Sequence, residues 1–461
     1  MNKELLEMNK DFPDAISDSI KMTEANSVLI VYEGEYSIKS ETEEIKLKGK
    51  ITYEWFANSG VYFYGNPIAE NGELIKASKH NDTYSVKING LEFGQGFITN
   101  FGFGNLTETK IKGTISHHAI LGDKSISVEK IKFSIPNLRE FHGLPVKRVT
   151  EKNISTSMDR LVLEDETYKI IIDKCSDFKK RRENLEEKGG YIILYNGELT
   201  VKKGTLNYID TRDIFHCLDT FLTFLNGRRT SALFIQGIFD EQIIWTDYTD
   251  YFVDTYKAVQ TWPQKHSIAN LNELWKHFRV VWNKNPEDKN FLTSLIHWYV
   301  EANGHAGFSE GSIILAQTAL ELVYNWWIVE NKKMILGKDS ENISASNKIR
   351  LLISQLNVPS SVPVAFTELQ KFKDSTDNVA DAPDSIVYIR NAIVHSQEEK
   401  RKKLSAIHYK AKYEALQVYI WYIEMTLLCI LEYNGEYFNR CSKEIYAIKT
   451  EQQVPWKKRD G

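Results

Sequence analysis

Residues 381–395 read DAPDSIVYIRNAIVH, and this stretch indicates the fold of the C-terminal half of the chain. Asp381 is a residue type that caps helices, and Pro383 suits a first helical turn. Asp384 adds a carboxylate where the helix dipole favours negative charge. The sequence therefore predicts one helix from Pro383 to His395.

The chain on both sides of this helix repeats the 3.6-residue spacing of apolar side chains. This spacing predicts further helices near Leu271–Trp282, Lys289–Ala302, Ser309–Val329, Ala345–Leu356 and Leu404–Tyr433. Because each segment is amphipathic, each should bury one stripe against its neighbours. We therefore predict an all-α helical bundle over residues 263–450, followed by a loose basic tail at 451–461.

Residues 1–262 follow a different pattern, in which short β-branched and aromatic runs alternate with turn signals. The pair Asn89-Gly90 between two alternating runs is a strong hairpin signal. One helix is predicted from Asp210 to Leu225, and further strands at Ile126–Phe133, Tyr168–Ile172, Tyr191–Tyr195, Leu199–Lys202 and Ser231–Ile235. These strands fit a sandwich or a distorted barrel, and we favour a β-sandwich-like domain. The expected fold class is α+β multidomain.

The aromatic side chains of this N-terminal domain form a dense group, comprising Trp55, Phe56, Tyr62, Phe63 and Tyr64. Aromatic residues of this size usually form the core of a β domain. A platform for a ligand in a sensor domain is the alternative.

Composition excludes several classes of protein. The chain has 461 residues, of which 42% are hydrophobic and 26% charged, as in a globular protein. Its net charge of -4 gives no general attraction to nucleic acid, so any polyanion site must be a local patch. The four cysteines form no C-x-x-C pair, which argues against a disulfide framework and a zinc site. We expect no metal and no cofactor.

Two segments bear on localisation. The N-terminus carries Glu4 and Glu7 where a signal peptide would be apolar. The apolar stretch Tyr413–Tyr433 is interrupted by Glu414 and Glu424, which are costly within a bilayer, so it is interpreted as a buried helix. We therefore expect a cytoplasmic protein with no membrane partner.

The candidate chemistry lies at the end of the helix predicted from Pro383. Asn391 and His395 lie on one helical face, and Arg390 lies about 140° around it and roughly 7.5 Å along the axis. Histidine titrates near neutral pH, and the planar guanidinium of arginine matches phosphate oxygens. These groups suit cleavage of a phosphodiester without a metal. Alternatively, Arg390 pairs with a carboxylate such as Glu321, and His395 hydrogen-bonds near the helix end.

These residues carry a family resemblance. Residues 390–395, RNAIVH, resemble the Arg-x4-6-His motif of the HEPN superfamily, including a polar residue directly after the arginine. Residues 310–321 resemble the helix that packs against this motif, and residues 347–352 resemble the connecting helix. A β-rich domain followed by such a bundle is similar to ApeA-type anti-phage proteins.

The resemblance implies a metal-independent endoribonuclease that acts in abortive infection as a homodimer through its HEPN domain. Arg390 would bind the phosphate, His395 would act as general acid or base, and Asn391 would orient the 2′-OH or the phosphate, with Glu321 in support. The target would be transfer RNA or other cellular RNA, and the products a 2′,3′-cyclic phosphate and a 5′-OH.

A basic run comprising Lys400, Arg401, Lys402 and Lys403 follows the motif, with Lys410 and Lys412 beyond it. It could contact an RNA backbone, or it could be a solvated face, since Glu398 and Glu399 adjoin it.

The N-terminal domain is interpreted as a sensor or regulatory domain that responds to a phage-derived trigger. The alternative to an enzyme is a non-catalytic HEPN-fold protein that binds nucleotide or RNA or senses a ligand.

Overall fold

The structure is a computed structural model that describes residues 11–41, 44–68, 83–103, 109–149, 154–265, 270–304, 308–394, 398–442 and 451–457. It is a mixed α+β protein, with a β-rich N-terminal region and helices in the C-terminal part.

The first six strands form a closed barrel. They are β1 (Leu29–Lys39), β2 (Glu44–Glu54), β3 (Gly60–Pro67), β4 (Tyr84–Ile88), β5 (Leu91–Phe103) and β6 (Thr109–Ile115). Their order around the barrel is β1-β2-β3-β6-β5-β4, and neighbouring strands with described pairing are antiparallel. Alternate side chains such as Leu47, Phe63 and Val86 are fully buried, as period-two strands with one inner face require.

An eight-stranded sheet follows the barrel. Its strands are β7 (Ile120–Gly122), β8 (Lys130–Pro136), β9 (Leu144–Val149), β10 (Ile154–Glu164), β11 (Tyr168–Lys174), β12 (Ile193–Val201), β13 (Leu233–Phe239) and β14 (Gln242–Asp247). They are ordered β7-β14-β13-β8-β12-β11-β10-β9. Two helices, α1 (Phe178–Lys188) and α2 (Tyr208–Asn226), lie between its strands in sequence.

The predicted sandwich is wrong. The strand β1 pairs with both β2 and β4, which closes the first six strands on themselves instead of leaving two facing layers. The hairpin at Asn89-Gly90 is confirmed, because both residues adopt positive φ values (51° and 82°) between β4 and β5.

Helices make up most of the C-terminal part. They are α3 (Leu271–Lys284), α4 (Pro286–Asn303), α5 (Phe308–Val323), α6 (Lys338–Asn342), α7 (Ala345–Ser354), α8 (Thr367–Ser375), α9 (Ala382–Val394), α10 (Glu398–Ala406) and α11 (Tyr409–Ile430). A π-helical segment, Tyr324–Asn331, continues α5. The helix α11 is buried along almost its whole length, as predicted for this apolar stretch.

Two details of this part differ from the sequence prediction. The single helix predicted at Leu404–Tyr433 is broken, because His408 caps a new helix by accepting a hydrogen bond from the Lys410 amide at 3.3 Å. The predicted tail is ordered at its start, where β16 (Glu451–Gln453) pairs with β15 (Glu436–Phe438) and Val454 is buried.

The chain divides into two compact units. One comprises residues 1–139, 143–219 and 230–257, and the other residues 140–142, 220–229 and 258–461. Within the described residues, one helical stretch, Ser309–Asn331, is long and apolar enough to span a bilayer, with a mean hydropathy of 1.2. Since 56% of that apolar window is buried inside the protein, it has the character of a core helix.

Candidate functional site

The helix α9, which carries the predicted motif, is anchored at its N-terminus. Asp381 accepts a hydrogen bond from the Asp384 amide at 3.0 Å, as an N-cap does. The guanidinium of Arg350, on α7, donates two hydrogen bonds to the Asp381 carboxylate at 2.8 and 2.7 Å and pairs with Asp384 at 2.6 Å. The hydrogen bond to Asp381, burial and the contact with Asp384 act together on Arg350, and their net effect raises its pKa. This anchor sets the position of the helix whose other end bears Arg390.

Arg390 lies half-buried in the last turns of α9. Its Nη1 donates to the side-chain oxygen of Asn391 at 3.1 Å. Its Nε is buried and has no hydrogen-bond partner among the described residues. The guanidinium is therefore positioned through Nη1, while its Nε–H donor makes no hydrogen bond to a described residue.

A chain of buried polar side chains lies beside the arginine. The Tyr419 hydroxyl, on α11, donates to the Gln317 side-chain oxygen at 2.8 Å. Gln317, on α5, in turn donates through Nε2 to the Glu321 carboxylate at 2.9 Å. Tyr419 and Gln317 are 0% and 1% exposed, whereas Glu321 is half-buried. This chain joins the helix predicted to pack against the motif to the longest helix of the unit.

The charges of Arg390 and Glu321 both shift the pKa of Tyr419, in opposite directions. Burial raises the pKa of Tyr419, the positive charge of Arg390 lowers it, and the negative charge of Glu321 raises it. In the described part of the chain, however, no ion pair joins Arg390 to Glu321 or to any other carboxylate. The alternative in which a carboxylate neutralises Arg390 is therefore not seen, and its charge is available to an anion.

His395, the predicted general acid or base, lies outside the described residues. The description of α9 ends at Val394, whose side chain is 43% exposed. The structure thus brings together Arg390 and Asn391, with Glu321 linked through Gln317 and Tyr419, and gives no position for the histidine.

The basic run forms the short helix α10. Lys402 is exposed and pairs with Glu398 one turn away at 2.8 Å, and Lys403 is exposed. The side chains of Lys400 and Arg401 lie outside the described residues. Beyond the run, Lys412 bonds the Glu310 carboxylate at 2.7 Å, so part of the predicted charge is locally neutralised.

Sequence reasoning missed Gln317 and Tyr419. Gln317 lies four residues before Glu321, a spacing at which helical side chains meet, so it could have been found. Tyr419 lies in an apolar run that resembles core, and only the packing of α11 against α5 reveals its role. Over the residues described, no group of three or more His, Cys, Asp or Glu side chains could hold a metal ion.

Two regions of the chain match models of known protein families. Residues 285–451, from the start of α4 onward, match the family model of the YopA C-terminal domain. Residues 123–259, which include β8 to β14, match the YopA central domain.

One relative is similar along nearly the whole chain. It is the SPbeta prophage-derived uncharacterized protein YopA of Bacillus subtilis (strain 168), 25% identical over 458 residues that cover 97% of this chain and 99% of the relative. No solved structure matches the chain.

Proposed function

We propose that this protein is a metal-independent endoribonuclease of the HEPN type, with Arg390, Asn391 and His395 as its catalytic residues. One observation carries the proposal: the guanidinium of Arg390 is half-buried, positioned by Asn391, and paired with no described carboxylate. A cation kept in a partly desolvated place without a counter-charge is costly unless an anion binds there.

The reaction needs no group beyond RNA and these side chains. The 2′-oxygen attacks the adjacent phosphorus while a base, His395 of one protomer or its partner, removes the 2′-proton. The bond from phosphorus to the 5′-oxygen breaks, and a protonated imidazole returns a proton to that oxygen. The products are a 2′,3′-cyclic phosphate and a 5′-OH.

Arg390 stabilises the negative charge that develops on the phosphate oxygens during this step. Removal of one such preorganised donor costs about 10²–10³ in rate in known enzymes. The hydrogen bond to Asn391 supplies the preorganisation, because it restricts the guanidinium before substrate arrives.

The biological setting of the proposal is defence of a bacterial cell in its cytoplasm. The protein would act as a homodimer through its helical domain, cut transfer RNA or other cellular RNA, and respond to a phage-derived trigger. The Bacillus subtilis relative is prophage-derived, and this origin supports a role in conflict between phages and hosts.

The products of RNA incubation test the proposal. Purified protein is mixed with total transfer RNA in EDTA, with and without extract from phage-infected cells, and the new ends are mapped. We expect 2′,3′-cyclic phosphate and 5′-OH ends from the wild type and none from Arg390→Ala or His395→Ala. Arg279→Ala, which removes another half-buried arginine of the same unit, is the matched control and should cut normally.

Intact RNA in every sample would favour the alternative, a non-catalytic protein that binds nucleotide or RNA or senses a ligand. Full cleavage by both Arg390→Ala and His395→Ala would exclude the proposed site.

A further inference from the structure

A cleft on the barrel carries an excess of positive charge. Its volume is about 470 Å³, and it lies across β1, β2, β3 and β6. The charged side chains that line it are Glu33, Lys48, Lys50, Lys110 and Lys112. Four lysines against one glutamate leave a formal charge of +3 in a protein whose total charge is -4. This is the kind of local patch that the net charge of the chain conceals.

The charges of these lysines are not neutralised by ion pairs within the described residues. In the described residues none of the four forms an ion pair, and Lys48, Lys50 and Lys110 are exposed. Glu33 faces Lys50 in the β1–β2 register without reaching it as an ion pair. The four lysines come from two strands, β2 and β6, which lie on either side of β3. Like charges gathered around one cleft repel one another, and a bound polyanion would offset that repulsion.

A tyrosine lies at the centre of the cleft. The strand register places Tyr64 between Lys50 on β2 and Lys112 on β6. The amino group of Lys50 lies 5.8 Å from the centre of its ring and that of Lys112 lies 5.1 Å from it. The Tyr64 hydroxyl donates to the Glu54 carboxylate at 2.6 Å, which fixes the ring while leaving it half-exposed. An anchored ring between cations is a surface on which a flat base can stack.

We infer that this cleft binds single-stranded nucleic acid, with lysines on the phosphates and a base on Tyr64. Phosphate charges repeat along a strand as the lysines do across the strands of the cleft, and stacking on an aromatic ring accepts any base. Phosphopeptide sites rely on arginine forks, whereas the cations that line this cleft are all lysines. An anionic membrane is bound by a convex basic surface that also exposes apolar side chains. In this cleft the one aliphatic lining residue, Ile111, is buried.

The cleft shares no residue with α9, so the inference goes beyond the proposed nuclease and does not depend on it. Its test uses the full chain with Arg390→Ala, which prevents the proposed cleavage. Fluorescence anisotropy measures binding of labelled single strands of RNA and of DNA across a KCl series. Each strand is about twelve bases long, within the site sizes of known single-strand-binding folds. The same titration is run with duplex RNA, with a phosphopeptide and with phosphatidylserine vesicles.

We expect both single strands to bind, with a salt slope that falls by about 0.7 for each lysine removed. Lys50→Gln/Lys112→Gln should weaken binding about tenfold or more at low salt. Lys169→Gln/Lys203→Gln, which removes two exposed lysines of the eight-stranded sheet segment, should not. Tyr64→Leu should weaken binding about fivefold or more, and Tyr64→Phe should bind as the wild type does.

Equal affinity of the two double variants for the single strands would overturn the inference. Binding confined to duplex, phosphopeptide or vesicles would also overturn it. Circular dichroism and melting of each variant ensure that a loss of binding is not a loss of folding. If Arg390→Ala cuts RNA as well as the wild type does, the nuclease proposal fails while the DNA titrations still decide this one.

Discussion

The side chain of Arg390 combines three properties. It is half-buried, its Nη1 is held by Asn391 at 3.1 Å, and its Nε has no partner among the described residues. A structural arginine of the same unit, Arg350, shows the contrast, because two carboxylates satisfy it. The difference between these two arginines is the physical basis of the functional assignment.

Replacement of Arg390 by lysine tests whether the planar guanidinium matters. Lysine keeps the charge but offers a single ammonium in place of the fork that binds two phosphate oxygens. We expect Arg390→Lys to retain RNA binding within about threefold while its cleavage rate falls about tenfold or more. Single-turnover kinetics measured with saturating protein separate the two effects. Equal rates for lysine and arginine would mean that charge alone acts there.

Glu414 provides a pH-dependent test of the bundle. This carboxylate is 3% exposed and accepts a hydrogen bond from the Leu369 amide at 2.7 Å, at the start of α8. Burial raises its pKa in the folded protein. Between the unfolded and the folded pKa of Glu414, the folded state therefore keeps a proton that the unfolded chain has released. The stability that Glu414 contributes in its protonated form is lost as pH rises through the raised pKa.

Glu414→Gln cannot ionise and keeps an oxygen for the Leu369 amide. Relative to the wild type, its free energy of unfolding should therefore improve as pH increases from 4 to 8. Urea denaturation at several pH values measures this difference. Parallel pH profiles for the two proteins would contradict the expected role of burial.

The sequence could predict Arg390 and Asn391 as site residues because their motif, residues 390–395, spans less than two helical turns, which is local information. It did not reveal the chain from Tyr419 through Gln317 to Glu321, because that chain requires α11 and α5 to pack together. Residues joined only by tertiary packing leave no signature in spacing. The alternative in which Arg390 pairs with Glu321 also depends on tertiary packing, and the Glu321 carboxylate accepts a hydrogen bond from Gln317 instead.

Among the secondary-structure elements, α9 depends most on its N-terminal anchor. Asp381 both caps the helix and receives two hydrogen bonds from Arg350. Loss of a cap costs about 1 kcal/mol, and loss of the carboxylate also frees Arg350. We expect Asp381→Ala to lower the free energy of unfolding by about 2 kcal/mol and Asp381→Asn, which keeps the cap, by about half of that. Equal losses in the two variants, measured by urea denaturation, would show that capping contributes little.

Local signals predicted single elements better than their arrangement. The Asn89-Gly90 turn predicts its hairpin because positive φ values at two successive residues need those residue types. The helix α1 was missed because its eleven residues are mostly charged and bury only Phe178, Arg181 and Leu185. The break between α10 and α11 was missed because no glycine or proline marks it, and the cap by His408 depends on its conformation.

For the molecule as a whole, the sequence predicted strands followed by helices but not a closed barrel. Closure depends on the pairing of β1 with β4, whose paired residues lie about fifty positions apart in sequence. Period-two alternation is the same in a sandwich and in a barrel, so pattern alone cannot distinguish them. The cleft lysines likewise come from two strands that are not neighbours, β2 and β6, and only the register places them on either side of Tyr64.

The proposed composite site requires two copies of the chain. At 53.3 kDa per chain, a dimer has a mass of twice that value, 106.6 kDa. Light scattering after size-exclusion chromatography should give the dimer mass at micromolar concentration for the wild type and for Arg390→Ala alike. A monomer that still cuts RNA at full rate would exclude a site shared between protomers.

The rate at which the Arg390→Ala protein cuts RNA is the most direct measure of whether this guanidinium stabilises a scissile phosphate. Wild type and variant are compared under single-turnover conditions in EDTA, with matched melting temperatures and Arg279→Ala as the control. We predict that the rate falls about 10²–10³-fold in Arg390→Ala and is unchanged in Arg279→Ala. An Arg390→Ala protein that cleaves as fast as the wild type would contradict the assignment.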